Sequence, residues 1–111
     1  MQPLQGKFAL ITGAGRGIGA ETAAKLTAAG ARVLVNDLDE DAAQETAQQL
    51  YGAVAIAGDL TVPSVADDLI DAAIEQFGGL DIVVNNAGYI WHSAIHNMTD
   101  EQWDAMIDIH A

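Results

Sequence analysis

With 111 residues the chain has room for one domain, taken here as a single unit over 1–111, and with half of those residues hydrophobic it can build a real core rather than remain disordered. Sixteen acidic residues against four basic ones leave a net charge of -12, which repels phosphate backbones and anionic lipid and so excludes nucleic acid and membrane surfaces as partners. The absence of cysteine excludes disulfides and thiolate metal sites.

Short apolar runs alternate with helical stretches. The first run, Phe8-Ala9-Leu10-Ile11, reads as a buried strand and leads into a glycine-rich turn. A helix follows, with Ile18, Thr22 and Leu26 recurring every four residues and Gly30 after its end. Val33-Leu34-Val35 is the second strand, and Ala43, Ala47 and Leu50 form the stripe of the second helix. Val54-Ala55-Ile56 is the third strand. Leu69, Ala73 and Phe77 mark the third helix, with Ser64 a candidate cap and Gly78-Gly79 a stop. Ile82-Val83-Val84 is the fourth strand. Thr99 with Gln102 has the form of a capping box, opening a fourth helix whose face carries Trp103, Met106, Ile107 and His110. The order β-α-β-α-β-α-β-α predicts an α/β fold, a Rossmann-like doubly wound parallel sheet of which this is the N-terminal half. No apolar run approaches the roughly 18–20 residues that span a bilayer, and nothing before Phe8 has the pattern of a secretory leader. A cytoplasmic location is the expectation.

The chemistry sits where strands end. Thr12-Gly13-Ala14-Gly15-Arg16-Gly17-Ile18-Gly19 joins a strand to a helix. A pyrophosphate seats against backbone N–H groups at a helix N-terminus, where the dipole favours negative charge, and side chains would block that approach. Asp37 ends the second strand 18 residues after Gly19, close to the spacing of about 20 at which an acid accepts from a ribose 2′-hydroxyl. A 2′-phosphate beside that carboxylate would be repelled, so NAD is favoured over NADP. Arg16 pulls the other way, because a guanidinium in the loop suits a 2′-phosphate. Asn85-Asn86-Ala87-Gly88 follows the fourth strand, and its small residues keep the floor of the cleft open. His92, His96 and His110 lack metal-binding spacing, and no metal is expected.

Taken together, Thr12-Gly13, Gly17, Gly19 and Asn85-Asn86-Ala87-Gly88 resemble the short-chain dehydrogenase/reductase family over the entire chain. The stretch Met98 to His110 is similar to 3-oxoacyl-carrier-protein reductases and hydroxyacyl-CoA dehydrogenases. The resemblance implies that Gly13, Arg16, Gly17, Ile18 and Gly19 line the pyrophosphate. It puts Asp37 and Leu38 at the adenosine ribose, Asp59 and Leu60 at the adenine, and Asn86, Ala87 and Gly88 under the middle of the cofactor. His110 stands where many members carry a supporting Asn; a core histidine on the fourth helix is the alternative. The implied reaction is hydride transfer between nicotinamide and a carbonyl or alcohol carbon, using a Ser and a Tyr-x-x-x-Lys pair. Here Tyr51 and Tyr89 are followed four residues on by Ala55 and Ser93, and the only lysines are Lys7 and Lys25. The catalytic residues are therefore not within this chain, which reads as truncated in the fourth helix. Two other readings stand beside the dehydrogenase: a non-catalytic NAD-binding half-domain, and an S-adenosylmethionine-binding domain. The fourth strand is expected to expose an apolar edge, and a homo-oligomer is expected to form through it or through the fourth helix.

Overall fold

The computed structural model describes residues 2–59, 61–86 and 107–110. Four strands appear where the apolar runs place them: β1 (Phe8–Thr12), β2 (Arg32–Asp37), β3 (Val54–Ala57) and β4 (Ile82–Asn85). Three helices connect them: α1 (Gly17–Ala28), α2 (Glu40–Gln48) and α3 (Pro63–Phe77). A fifth strand, β5 (Ile107–His110), completes a parallel sheet in the order β3-β2-β1-β4-β5. This is the Rossmann-like doubly wound arrangement in its N-terminal half.

Strand pleating divides the core. Side chains alternate across a strand, so Leu10, Leu34 and Val83 face one side and Ala9, Ile11, Val33, Val35, Ile82 and Val84 face the other. The first set packs with Ala66, Leu69, Ile70, Ala73 and Phe77 of α3. The second packs with Ala23 of α1 and Ala43 and Ala47 of α2. Alanine on that side lets two helices lie close against the sheet, while larger side chains fill the side that, among the described residues, α3 covers.

Three expectations need correction. Ile18 is not part of the stripe that α1 buries; it is 70% exposed, and Gly19 and Ala23 are the buried residues. Gly19 is the residue that meets the glycine turn, where a Cβ would strike the Gly13 carbonyl, and Ile18, one position earlier, lies about 100° around the helix from it. Ser64 does not cap α3: Val62 is the N-cap and Pro63 opens the helix, a position that needs no N–H.

The third correction concerns the fourth helix. Residues Ile107–His110 form β5, with Ile107 beside Ile82 and His110 beside Asn85. Thr99, Gln102, Trp103 and Met106 lie outside the described residues. A four-residue Ile-Asp-Ile-His segment fits a period of two as readily as one of 3.6. The edge of β4 decides between them, because its unpaired N–H and C=O groups are satisfied by a strand and not by a helix. The edge expected to be bare is thus paired, which removes β4 as a route to self-association.

Candidate functional site

The chain winds outward from β1 to β2 and β3, then crosses back to β4 on the far side of β1. Crevices in such sheets open beyond the carboxyl ends of the strands at this reversal, here between β1 and β4. Thr12, Gly13, Asn85 and Asn86 come together there. Thr12 is fully buried, and its Oγ1 lies 3.2 Å from Asn85 Oδ1. The Asn86 amide donates to the Gly13 carbonyl at 3.1 Å, fixing the end of β4 to the start of the glycine loop.

Each loop glycine has its own constraint. Gly13 and Gly17 turn with φ of 61° and 63°, in the left-handed region. Gly19 has no such need, but a Cβ on it would strike the Gly13 carbonyl and come within 2.8 Å of Asn86 Nδ2 and 2.9 Å of Ala14 Cα. Gly15 is pressed against α2, where a Cβ would lie 2.7 Å from Ala42 Cβ and 2.9 Å from the Asp37 carboxyl.

The helix start that this loop delivers is electrostatically open. Arg16 is the N-cap of α1, makes no side-chain capping bond, and no acid stands in the first turn. The first N–H groups of a helix lack helical partners and carry the positive end of its dipole. At α2 the situation is reversed. Asp39 accepts from the backbone N–H groups of Asp41 and Ala42, and Glu40 and Asp41 fill the first turn. Of the two, α1 is the one left for an anion, and the glycines keep it uncovered. The donor set fits a dinucleotide pyrophosphate.

Asp37 stands beside this helix start, its carboxylate partly engaged. Oδ2 accepts from Gly15 N–H at 2.9 Å and Oδ1 from Asp39 N–H at 3.0 Å. Asp39 in turn pairs with Arg16 at 2.8 Å. Leu38 is 71% exposed between the two acids. Asp59 follows β3 and accepts from Thr61 through the hydroxyl at 2.6 Å and the backbone N–H at 2.9 Å. Those two bonds, the hydroxyl's first, hold its carboxyl below the usual range.

Of the residues expected at a cofactor, Gly13, Arg16, Gly17, Ile18, Gly19, Asp37, Leu38, Asp59 and Asn86 lie in the described part, on the loop after β1, in the first turn of α1, or at or just beyond the ends of β2, β3 and β4. Leu60, Ala87 and Gly88 lie outside the described residues. For His110 the backbone register alone is defined, opposite Asn85. Three further residues join these contacts in the structure. Gly15 supplies the amide that grips Asp37. Thr46 Oγ1 donates to the Gly15 carbonyl at 2.9 Å. Asp39 links Arg16 to α2, and its position before Glu40-Asp41 was a legible capping signal. Thr46 carried none, because the contact spans 31 positions. An open depression of about 430 Å³ on the α2 side of the loop is lined by Arg16, Glu45, Thr46 and Gln49 among others. Its walls include neither Gly13 nor Asn86, so it is not the crevice at the strand reversal.

A family model described as short chain dehydrogenase matches residues 7–111. The chain belongs to the short-chain dehydrogenase family. It is 43% identical over 110 residues to an uncharacterised oxidoreductase of Staphylococcus epidermidis, covering 98% of this chain and 48% of that protein. It is also 43% identical to a hydroxyacyl-CoA dehydrogenase of Mycobacterium tuberculosis, covering 96% and 36% respectively. Among solved structures, a 3-ketoacyl-(acyl-carrier-protein) reductase of Brucella melitensis complexed with NADH superposes with a TM-score of 0.74 at 42% identity, over 77% of this chain and 35% of that one. A hydroxysteroid dehydrogenase of Escherichia coli gives 0.73 at 48% identity, over 77% and 37%. The chain spans about half the length, or less, of these short-chain dehydrogenases.

Proposed function

We propose that this chain is the cofactor-binding part of an NAD-preferring oxidoreductase that moves a hydride between nicotinamide and a carbonyl or alcohol carbon, with 3-oxoacyl or 3-hydroxyacyl compounds as the substrate class. The observation that carries the proposal is the Asp37 carboxylate, fixed by Gly15 N–H at 2.9 Å beside the uncapped start of α1. Its remaining lone pairs suit the two hydroxyls of an adenosine ribose, and its charge disfavours a 2′-phosphate. The dipole and first-turn amides of α1 would hold the pyrophosphate, with Gly17, Ile18 and Gly19 lining it. Asp59 with Leu60 would flank the adenine, and Asn86, Ala87 and Gly88 would support the cofactor's middle.

When bound, the nicotinamide supplies or accepts the hydride. The residues of this chain bind and orient the dinucleotide; proton transfer at the substrate oxygen needs a Tyr-x-x-x-Lys pair that these 111 residues do not contain. The substrate class rests on the printed names of the reductase and acyl-CoA relatives. Among the described residues no helix is long and apolar enough to cross a membrane.

Calorimetric titration with NAD, NADP and S-adenosylmethionine tests the binding reading. Saturable binding of NAD, weaker binding of NADP and none of S-adenosylmethionine is expected. Tighter binding of NADP would overturn the preference, and S-adenosylmethionine binding would overturn the class.

A further inference from the structure

The whole chain has four Lys and Arg residues, and the topology sorts them. Lys7 precedes β1, Lys25 lies in the last turn of α1, and Arg32 opens β2, so all three stand at the amino end of the sheet. Arg32 is also engaged there, donating to the Gly52 carbonyl and lying over the Phe77 ring. Arg16 alone stands at the carboxyl end, beside the crevice, and its guanidinium is turned onto Asp39 at 2.8 Å.

The contacts around it form a closed ring. Gly15 N–H binds one oxygen of Asp37, the other oxygen of Asp37 binds Asp39 N–H, and the Asp39 carboxylate binds Arg16, the residue after Gly15. Asp39 divides its two oxygens between tasks. Oδ1 caps α2 through Asp41 and Ala42, and Oδ2 takes Arg16. The cap holds the carboxylate in place, so Arg16 meets an acceptor that is already ordered and loses little of it to side-chain motion.

From this geometry we infer that Asp39 is a cofactor-specificity residue: it withholds Arg16, the one cation near the adenosine ribose, from a ribose 2′-phosphate, and adds its own repulsion to that of Asp37. The inference rests on the NAD-preferring reading above and assigns part of that preference to a residue two positions beyond the ribose acid. An exposed ion pair changes an equilibrium by about fivefold at most, so the effect is a bias and not a lock. Removing the Asp39 charge both frees Arg16 and removes a repulsion, and together these shift discrimination toward the 2′-phosphate by about tenfold.

The test uses the full chain with Asp39→Asn, Arg16→Gln and the double variant. The probes are adenosine 5′-monophosphate and adenosine 2′,5′-bisphosphate, which differ by the 2′-phosphate alone. Asparagine caps a helix as well as aspartate does, so α2 is retained, and circular dichroism with a second variant, Asp39→Ser, checks that it is. The expected result is tighter bisphosphate binding by Asp39→Asn, by about tenfold, with monophosphate binding nearly unchanged, and most of that gain lost when Arg16 is also replaced. An Asp39→Asn effect of the same size with and without Arg16, in a parent that prefers the monophosphate, would overturn this inference and leave the NAD preference standing. A parent that already prefers the bisphosphate would overturn both.

Discussion

Replacing Gly19 with alanine sets two physical effects of opposite sign against each other at one atom. Gly19 is the third residue of α1 and its φ is not left-handed, so helix propensity alone predicts a gain of about 0.8–1 kcal/mol. The space around it predicts the reverse. The added Cβ meets the Gly13 carbonyl, the Asn86 amide at 2.8 Å and Ala14 Cα at 2.9 Å. Two of these are backbone atoms of the loop, which cannot swing aside as a long side chain would. Overpacking of this kind costs about 1–3 kcal/mol. The Asn86–Gly13 hydrogen bond, 3.1 Å and partly buried, lies across the same gap, and losing it adds about 1 kcal/mol. The net expectation is a loss of about 1–3 kcal/mol, measured as a lower urea midpoint at unchanged slope. Because the same displacement moves the loop that presents the α1 amides, affinity for NAD should fall by about tenfold or more, which corresponds to 1.4 kcal/mol. Calorimetric titration reads this directly. Gly19→Ala and Asn86→Ala should be less than additive, since both remove one bond. A variant stabilised by about 1 kcal/mol that binds NAD as before would refute the packing argument and leave propensity as the governing effect.

Other expected outcomes follow from single contacts. Asp37→Ala should weaken NAD binding by about 10- to 100-fold, as expected for charged hydrogen bonds, and weaken NADP binding much less; equal losses for both would refute its assignment to the ribose. The Asp59 carboxyl should titrate below the ordinary carboxylate range because of its bonds from Thr61, and Thr61→Ala should raise it, as read by carboxyl-carbon NMR. With the folded value depressed, the stabilisation is present above the unfolded value of about 3.9 and is lost as pH falls through the folded one. An Asp59 titration unmoved in Thr61→Ala would show that the hydroxyl is not its main cause. Leu10→Ala empties a fully buried position between Leu34 and Val83 and should cost about 2–5 kcal/mol in urea unfolding; a loss under about 1 kcal/mol would show that the α3 side of the sheet refills the space.

Much of this protein is legible in its order of residues because local physics suffices for it. Four apolar runs bounded by Gly, Asp or Asn become four strands, and the three segments with helical spacing between them become three helices, since burial on both faces of a parallel sheet demands nothing subtler. The shape of the glycine loop is legible for the same reason: Gly13 and Gly17 take the left-handed turns that a strand-to-helix junction of small residues announces. Asp37 is legible by spacing. The ring that surrounds it is not, because Gly15, Arg16 and Asp39 come from two elements 23 positions apart and meet only when α2 lies against the loop. Ile18 is misread by periodicity, since a stripe at period 3.6 does not state how closely the helix approaches its sheet. Ile107–His110 is misread as helix because four residues satisfy either period, and the choice between them belongs to the neighbouring edge. Composition and spacing thus determined the fold class, the glycine turn after β1 and the acid that ends β2. The tertiary structure decided which side of each helix is buried, which helix start is left open to an anion, and which acid holds the only arginine beside it. Those are properties of proximity between distant segments, and no local pattern encodes them.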